Sequence, residues 1–411
     1  MSGLSGRGLR PRGTPAPQKR SVRPLLRAAV RGAAVGGGLA VLTGALTSSA
    51  AAYFARKVVT PDRHKPDDID VLSVGAGTVT LRATEETTRP GRYGLWLERG
   101  AGHARLGEVL ERDDDARTVT RRLLSVDSGR MTAGRARWNQ YFYAGPPSVS
   151  LGLPHEDLLL RSDAGGLPTW FVPPSSDVPA RDTWAVLVHG RGATREECLR
   201  ALPLLHRLGV PALVPSYRND PDGPSTHGGR LHLGDTEWKD VEATVLHALS
   251  AGAKEVLLFG WSMGGAIVLQ HVSRSWTADR VRALVLDGPV IDWRVVLDHH
   301  ARINRLPRPV GRLGLAMLGH RTARRVVGVD GPVDLRRMDW VSRASELRLP
   351  VLIVHSEDDE FVPVGPSRML AELRPDLVTF VPFSGARHTK EWNVDPDRWE
   401  REVARFLLQH L

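Results

Sequence analysis

Residues 255–265 carry the sequence EVLLFGWSMGG, and this stretch decides the fold class of the 411-residue chain. Its first five residues form a short apolar run, which is typical of a buried parallel strand. Residues 260–264 then match the pattern G-x-S-x-G, in which a serine occupies a sharp turn from a strand into a helix. The pattern alone is weak, but a helical pattern over residues 263–273 follows it directly. This context predicts that the hydroxyl of Ser262 is exposed above a sheet.

Strand-like and helix-like segments alternate around this turn, from about residue 150 to residue 411. Predicted buried strands are the apolar runs at residues 184–188, 212–215, 255–259, 283–286, 351–354 and 377–381. Predicted helices lie at residues 195–208, 235–250, 263–273, 365–373 and 397–411. The alternation predicts an α/β fold, with a doubly wound, mostly parallel sheet and helices on both faces. Residues 290–349 are predicted to be a lid, because so long an insertion in a compact domain is usually functional.

A nucleophilic serine needs a general base and an acid that orients this base. The strand at residues 351–354 leads into residues 355–363, His-Ser-Glu-Asp-Asp-Glu-Phe-Val-Pro. This segment resembles the H-G-x-x-D-x-x-V-P signature after the seventh strand of α/β hydrolases, and on that resemblance Asp359 is the acid. Ser356 replaces the glycine of the signature, which leaves the position of the aspartate intact. The alternatives to this acid are Glu357, Asp358 and Asp287.

His388 is the predicted base, because it lies in the loop after the last predicted strand and follows the acid in sequence. An oxyanion hole needs two backbone N–H groups. One is that of Met263, directly after the nucleophile. Residues 189–192, His-Gly-Arg-Gly, resemble the H-G-x-G loop of the same family, and this resemblance puts the second donor at Arg191. His189 is then expected to shape the loop.

Together these motifs, in the correct order, give residues 150–411 a resemblance to the α/β-hydrolase superfamily. It is nearest to the serine aminopeptidase, monoacylglycerol-lipase and prolyl-oligopeptidase-like branches. The resemblance implies a serine hydrolase that cleaves an ester, thioester or amide through an acyl-enzyme, with no metal and no cofactor. Ser262, Asp359 and His388 would be its catalytic residues. Two alternatives stay open: a non-catalytic binding module on this fold, and a cofactor-free haloperoxidase.

Other candidate sites are weaker. His299 and His300 have no companions at metal-ligand spacing. Cys198 is the only cysteine, which excludes a disulfide framework and a multi-cysteine zinc site. Residues 216–220 follow the strand at 212–215, so they line the site or have a purely structural role.

Charge is concentrated at the N-terminus. Eight of the ten net positive charges lie in residues 1–32, a segment without acidic residues that is rich in Gly, Pro and Ser and is predicted to be disordered. The rest of the chain is nearly neutral, and it has no basic stripe with interleaved aromatic residues. We therefore expect no nucleic-acid partner.

Residues 33–55 contain no charged residue and are long enough to cross a bilayer as a helix. They predict a single-pass transmembrane anchor, with the basic tail inside and the catalytic domain outside the cytoplasm. A cleaved export signal and a buried helix are the alternatives. Small residues recur every fourth position, at Gly36, Ala40, Gly44 and Ser48. This stripe predicts a homodimer through the anchor helix.

Residues 56–149 are predicted to be a linker, over residues 56–66, followed by a small β-rich module. Alternating segments at residues 78–82, 93–97 and 119–123 are typical of half-buried strands. No catalytic constellation is found in this part of the sequence.

Overall fold

The computed structural model describes residues 45–61, 65–226 and 228–411. The chain divides into two compact units, residues 1–49 and residues 50–411. In the first unit, residues 45–49 are helical. The predicted basic tail and residues 33–44 of the predicted anchor lie outside the described residues.

Six strands between residues 69 and 139 form a closed antiparallel barrel, in the order β1-β2-β5-β4-β3-β6, with β1 paired to β6. The small β-rich module of the sequence analysis is therefore a barrel. Buried Arg121 donates hydrogen bonds of 2.7–3.0 Å to the carbonyls of Thr87, Arg89, Gly91 and Gly107. The strands are β1 (Ile69–Gly75), β2 (Thr78–Arg82), β3 (Tyr93–Leu97), β4 (Gly102–Asp113), β5 (Thr118–Ser128) and β6 (Gly134–Asn139).

Eight strands between residues 156 and 383 form the second sheet of the described chain, in the order β14-β13-β12-β11-β9-β10-β8-β7. Strands β9 to β14 run parallel, whereas β7 and β8 form an antiparallel hairpin at one edge. The strands are β7 (Glu156–Ser162), β8 (Gly165–Val172), β9 (Thr183–Val188), β10 (Ala212–Pro215), β11 (Glu255–Trp261), β12 (Val281–Asp287), β13 (Val351–Ser356) and β14 (Val378–Phe383).

Helices cover both faces of this sheet, so the predicted mostly parallel α/β sheet is confirmed. The helices are α1 (residues 45–59), α2 (Pro147–Ser150), α3 (Leu202–Arg207), α4 (Trp238–Ser250), α5 (Met263–Arg274), α6 (Trp293–Ile303), α7 (Arg308–Gly319), α8 (Arg324–Val327), α9 (Gly365–Leu373), α10 (Glu391–Val394) and α11 (Pro396–Leu408). Successive residues of β9 point to opposite faces of the sheet. Val186 packs in the core with α4 and α5, and Leu187 packs with α3 and α11. Short 3-10 helices lie at Glu98–Gly100, Arg195–Ala201, Ala278–Arg280 and Ala344–Glu346.

The predicted lid interval, residues 290–349, holds α6, α7 and α8. Helix α7 packs closely against α1 at Gly314. A Cβ at this position would lie 3.1 Å from Phe54 Cδ1 and 3.2 Å from the carbonyl oxygen of Ala51. A glycine permits this close approach of the two helices.

The predicted linker is wrong in part, since α1 continues to residue 59 and packs into the main core. Ala51, Phe54, Ala55 and Val59 are at most 9% exposed. Their spacing places them on one face of the helix. The C-terminal end of the predicted anchor therefore packs against protein. Within the residues that the structure describes, none of the helices has the length and apolar character needed to cross a bilayer.

Candidate active site

Ser262 lies at the turn between β11 and α5, with φ 51° and ψ −115°. This positive φ is unfavourable for a residue with a side chain, and such strain persists only where surrounding structure enforces it. The Ser262 N–H donates to the carbonyl of Asp287 at 3.0 Å, and the Ser262 carbonyl accepts from Gly265 and Val290, also at 3.0 Å. The end of β12, the loop after it and helix α5 thus hold the strained residue in place.

Glycines make this turn possible. A Cβ at Gly260 would lie 2.6 Å from the nitrogen of Gly265, and one at Gly264 would lie 2.0 Å from the carbonyl oxygen of Val188. Real Cβ atoms do not approach backbone so closely, so neither position accepts a side chain. The close crossing brings the end of β9 beside the serine.

The structure brings the three predicted catalytic side chains together in one hydrogen-bonded series. Ser262 Oγ lies 2.9 Å from His388 Nε2, and His388 Nδ1 lies 2.8 Å from Asp359 Oδ2. The imidazole thus connects a hydroxyl on one nitrogen with a carboxylate on the other. This arrangement can remove the proton of the hydroxyl and stabilise the imidazolium that results.

Asp359 is fixed independently of His388. Its Oδ1 accepts hydrogen bonds from the backbone N–H groups of Phe361 and Val362, both at 2.8 Å, and its Oδ2 lies 3.1 Å from His355 Nε2. Burial opposes ionisation of Asp359. The charge of His388 and the hydrogen bonds from the two histidines outweigh burial and hold the pKa of Asp359 well below its usual range. The carboxylate is therefore charged at neutral pH.

The alternative acids have other partners. Asp358 accepts from the hydroxyl of Ser356 at 2.6 Å and the N–H of Gly385 at 2.8 Å, and Glu357 pairs with Arg368. Asp287 accepts from Trp399 Nε1 at 2.8 Å. Among the four predicted candidates, Asp359 is the acid that contacts His388.

The predicted oxyanion loop, residues 189–192, lies beside the serine. A Cβ at Gly190 would lie 3.0 Å from Ser262 Cβ, and the Gly190 N–H donates to Glu197 Oε2 at 2.7 Å. The predicted donor from this loop is the next N–H, on Arg191. Met263 is the first residue of α5, so its N–H has no acceptor within the helix.

Buried side chains beneath the loop hold its shape. His189 Nε2 lies 2.7 Å from Asp220 Oδ2, and the hydroxyl of Tyr217 donates to the Gly190 carbonyl at 2.9 Å. Burial disfavours a charged imidazole, but the Asp220 carboxylate outweighs burial and raises the pKa of His189 to about 9. Tyr217 and Asp220 belong to the segment at residues 216–220 that the sequence left between two roles, and both support the loop from inside.

Sequence reasoning missed Glu197 and Arg200, which lie behind the site. Glu197 accepts from the oxyanion loop, and Arg200 Nη1 donates to the carbonyl of Thr389, next to the predicted base, at 2.7 Å. Both side chains are at most 4% exposed. Their only sequence signal is charge on a predicted helix, which is more typical of a solvated face.

Asp287, an alternative acid of the sequence analysis, forms a buried pair with Glu391, which sequence reasoning missed. Burial raises the pKa of both groups, and the proximity of Asp287 raises that of Glu391 further. Burial therefore favours the neutral form of Glu391. For metals, the described parts of the chain hold no group of three or more His, Cys, Asp or Glu side chains placed to bind an ion.

Residues 185–405, more than half of the chain, match the alpha/beta hydrolase family. Residues 70–139 match a domain of unknown function, DUF8805. No curated protein matches the chain in sequence.

Several solved structures have a similar fold. An esterase from Pyrococcus furiosus is 18% identical, with a TM-score of 0.49 over 65% of this chain and 95% of that chain. Est1E from Butyrivibrio proteoclasticus is 16% identical, with a TM-score of 0.46 over 62% and 98% of the two chains. An esterase from a Rhodococcus species is 19% identical, with a TM-score of 0.41 over 62% and 99%. Nothing about a substrate follows from likeness at this level.

Exchange of the acid tests its position. Asp359→Asn should lower kcat by about 10⁴-fold, because the amide cannot hold the histidine in the tautomer that accepts the serine proton. Asp358→Asn is the matched control and should lower kcat far less, since Asp358 contacts a loop and not the histidine. Steady-state kinetics on p-nitrophenyl acetate measures both variants. The reverse order of effects would show that the acid is misassigned.

The pH dependence tests the base. Burial disfavours the charged form of His388, but the Asp359 carboxylate outweighs burial and raises the pKa of His388 above its usual value of about 6.5. Only neutral imidazole accepts the serine proton, so kcat/KM should fall as pH drops through a midpoint above about 6.5. The profile of kcat/KM between pH 5 and 9 gives this midpoint. A flat profile from pH 5 to 8, with chemistry limiting, contradicts the assignment.

Proposed function

The chain belongs to the alpha/beta hydrolase family, and we propose that it is a serine esterase whose catalytic residues are Ser262, His388 and Asp359. One observation carries the proposal: a strained serine at a strand-to-helix turn lies 2.9 Å from an imidazole that a buried carboxylate holds from behind. This is the geometry that nucleophilic catalysis by a hydroxyl requires.

In the proposed reaction, Ser262 Oγ attacks the carbonyl carbon of the ester while His388 Nε2 takes the hydroxyl proton. The oxyanion that forms accepts hydrogen bonds from the N–H groups of Met263 and Arg191. His388 then gives its proton to the leaving alcohol, and an acyl-enzyme remains. Water, deprotonated by the same imidazole, attacks the acyl-enzyme and releases the acid. Asp359 keeps its charge throughout and stabilises the imidazolium.

Thioesters and amides use the same chemistry, so they remain substrates within this proposal. The finer placement near the serine aminopeptidase, monoacylglycerol-lipase and prolyl-oligopeptidase-like branches also stays a prediction. So do the membrane anchor at residues 33–55, the homodimer through its small-residue face and the location of the catalytic domain outside the cytoplasm.

Replacement of the nucleophile tests the function. Ser262→Ala should abolish covalent labelling by a fluorophosphonate probe and hydrolysis of p-nitrophenyl acetate, because it removes the hydroxyl that lies 2.9 Å from His388 Nε2. The thermal unfolding midpoint should not fall, since alanine keeps the backbone of the turn and removes one hydroxyl. The matched control is Ser250→Ala, at an exposed position on α4, which should label like the wild type. Labelling of the Ser262→Ala protein at the wild-type level would refute the nucleophile. Wild-type protein that fails to label would favour the non-catalytic binding module.

A further inference from the structure

A cavity of about 450 Å³ lies between α1 and α6, next to the proposed catalytic residues. Its volume falls in the range of small-molecule sites, about 300–1,000 Å³. Helix α1 lies outside both segments that match known families, residues 70–139 and 185–405. This wall of the cavity therefore does not belong to the matched part of the alpha/beta hydrolase family.

Two lining residues connect the cavity to the site. Phe361 lines it, and the Phe361 ring lies 5.0 Å from the ring of His388, centroid to centroid. Arg191, the predicted oxyanion donor, lines it as well. A carbonyl held between His388 and the oxyanion loop therefore has one side next to this cavity.

The lining is mainly apolar, and it consists of residues from α1, α6 and the loops that follow them, together with Arg191 and Phe361. Its apolar members are Ala50, Phe54, Val58, Pro61, Trp293, Val296, Leu297, Leu306 and Phe361. None of the described residues that line the cavity is acidic, so nothing there would pair with the ammonium group of an aminoacyl substrate. A buried charge without a partner is costly.

Two polar groups of the lining are held by contacts within the protein. The Arg191 guanidinium donates to the carbonyls of Lys57 at 3.0 Å, Val58 at 2.9 Å and Thr60 at 2.7 Å, at the carboxyl end of α1, where the helix dipole favours a cation. His300 Nε2 lies 3.0 Å from the Phe361 carbonyl, and burial lowers the pKa of His300, so it is neutral at pH 7. The other polar members of the lining are Tyr53, Lys57, Thr60 and Asn304, and the rest of the lining is apolar.

We propose that this cavity binds the hydrocarbon chain of the ester substrate and that α1 forms one of its walls. The inference rests on the proposed esterase function. The chain is that of the acyl group or of the alcohol, and two substrate series distinguish these sources. Burial of each methylene should raise kcat/KM by about fourfold until the cavity is full.

The first measurement compares p-nitrophenyl acetate, butyrate, hexanoate and octanoate with ethyl, butyl, hexyl and octyl acetate. A rise of kcat/KM along the first series places the acyl chain in the cavity, and a rise along the second places the alkyl chain there. Both results support a hydrocarbon site. A flat response in both series, or faster cleavage of leucine p-nitroanilide than of any ester, would overturn it.

The second measurement fills the cavity. Val58→Phe should lower kcat/KM for the longest substrate of the responding series by about tenfold or more, while p-nitrophenyl acetate changes little. Leu306→Phe narrows the cavity from another segment and should give the same selectivity if Val58→Phe fails to fold. Val149→Phe, at a position that is 72% exposed and outside the cavity, is the matched control.

Equal loss on short and long substrates in both cavity variants would overturn the cavity assignment. The esterase proposal would stand in that case, provided that the fluorophosphonate probe still labels Ser262. Absence of labelling in the wild type would instead remove the esterase proposal itself, so the two failures are distinguishable.

A separate observation concerns the loop that carries His388, residues 384–390. The residues on both sides of the histidine, Arg387 and Thr389, have positive φ values of 61° and 52°. Non-glycine residues adopt this conformation only at a cost, so the loop needs external support to keep it.

The barrel provides this support through Glu86, in the loop between β2 and β3. Glu86 Oε1 accepts from Arg387 Nη1 at 2.8 Å, and Glu86 Oε2 accepts from Lys390 Nζ at 2.7 Å. Burial opposes the charge on Glu86, but Lys390 and Arg387 outweigh burial and lower the pKa of Glu86. One carboxylate thus holds residues before and after His388.

We infer that Glu86 is a positioning residue for His388, which gives the barrel a role in the active site. This inference also rests on the proposed function. A displacement of the imidazole by about 1 Å lowers the rate of the reaction by up to about 10²-fold, because the reacting groups are no longer aligned. Substrate binding is unaffected.

Glu86→Gln removes the charge and keeps the size of the side chain. We expect kcat to fall about tenfold or more with KM unchanged, and the rate of fluorophosphonate labelling to fall in parallel. Glu86→Asp should recover part of the loss. Glu108→Gln is the matched control, since Glu108 pairs with Arg122 on the exposed side of the barrel.

An unchanged kcat, or a rise in KM alone, would overturn the positioning role. So would a loss of activity that only follows the unfolded fraction, measured by thermal denaturation of the same samples. If wild-type protein shows neither labelling nor hydrolysis, the failure belongs to the esterase proposal instead.

Discussion

The reversal of the chain between β11 and α5 is the constraint on which the geometry of the site depends. It sets Ser262 at a positive φ and requires backbone-to-backbone approach at Gly260 and Gly264, where any side chain would collide. The same approach presses the end of β9 against α5, so the loop at residues 189–192 cannot move away from the serine. A single tight crossing therefore places both the nucleophile and the predicted oxyanion donors.

Charge is distributed unevenly around this crossing. Asp359 is kept ionised by two histidines and two backbone N–H groups, whereas burial raises the pKa of Glu391 and favours its protonated form beside Asp287. The buried pair of His189 and Asp220 lies under the predicted oxyanion loop. Neighbouring acids thus differ in charge because their hydrogen-bond partners differ.

The parts of this structure that sequence could predict are those with a local signal. The strands at β9 to β14 were predicted within two or three residues, because buried parallel strands are continuous apolar runs. The order of the serine, acid and histidine motifs led to three side chains that the structure brings together.

The β7–β8 hairpin was missed, since its exposed alternating strands resemble loop sequence. Contacts of α1 and of Glu86 could not be predicted, because they join segments far apart in the chain. The uncharged run at residues 33–55 also hid the buried face of α1, which differs from a lipid-facing surface only in what covers it.

The contacts of the barrel with the histidine loop join residues about three hundred positions apart, Glu86 with Arg387 and Lys390. Ribosomes add about 5–20 residues per second, and about 245 residues separate the end of β6 from the start of the histidine loop, so a complete barrel would precede that loop by roughly 12–50 seconds. Throughout that interval, the surface of the barrel that will contact the histidine loop is uncovered. A closed sheet suits such a wait, because it offers no edge strand for pairing with neighbouring nascent chains. Closure of the barrel is thus a property that matters before synthesis of the chain is complete.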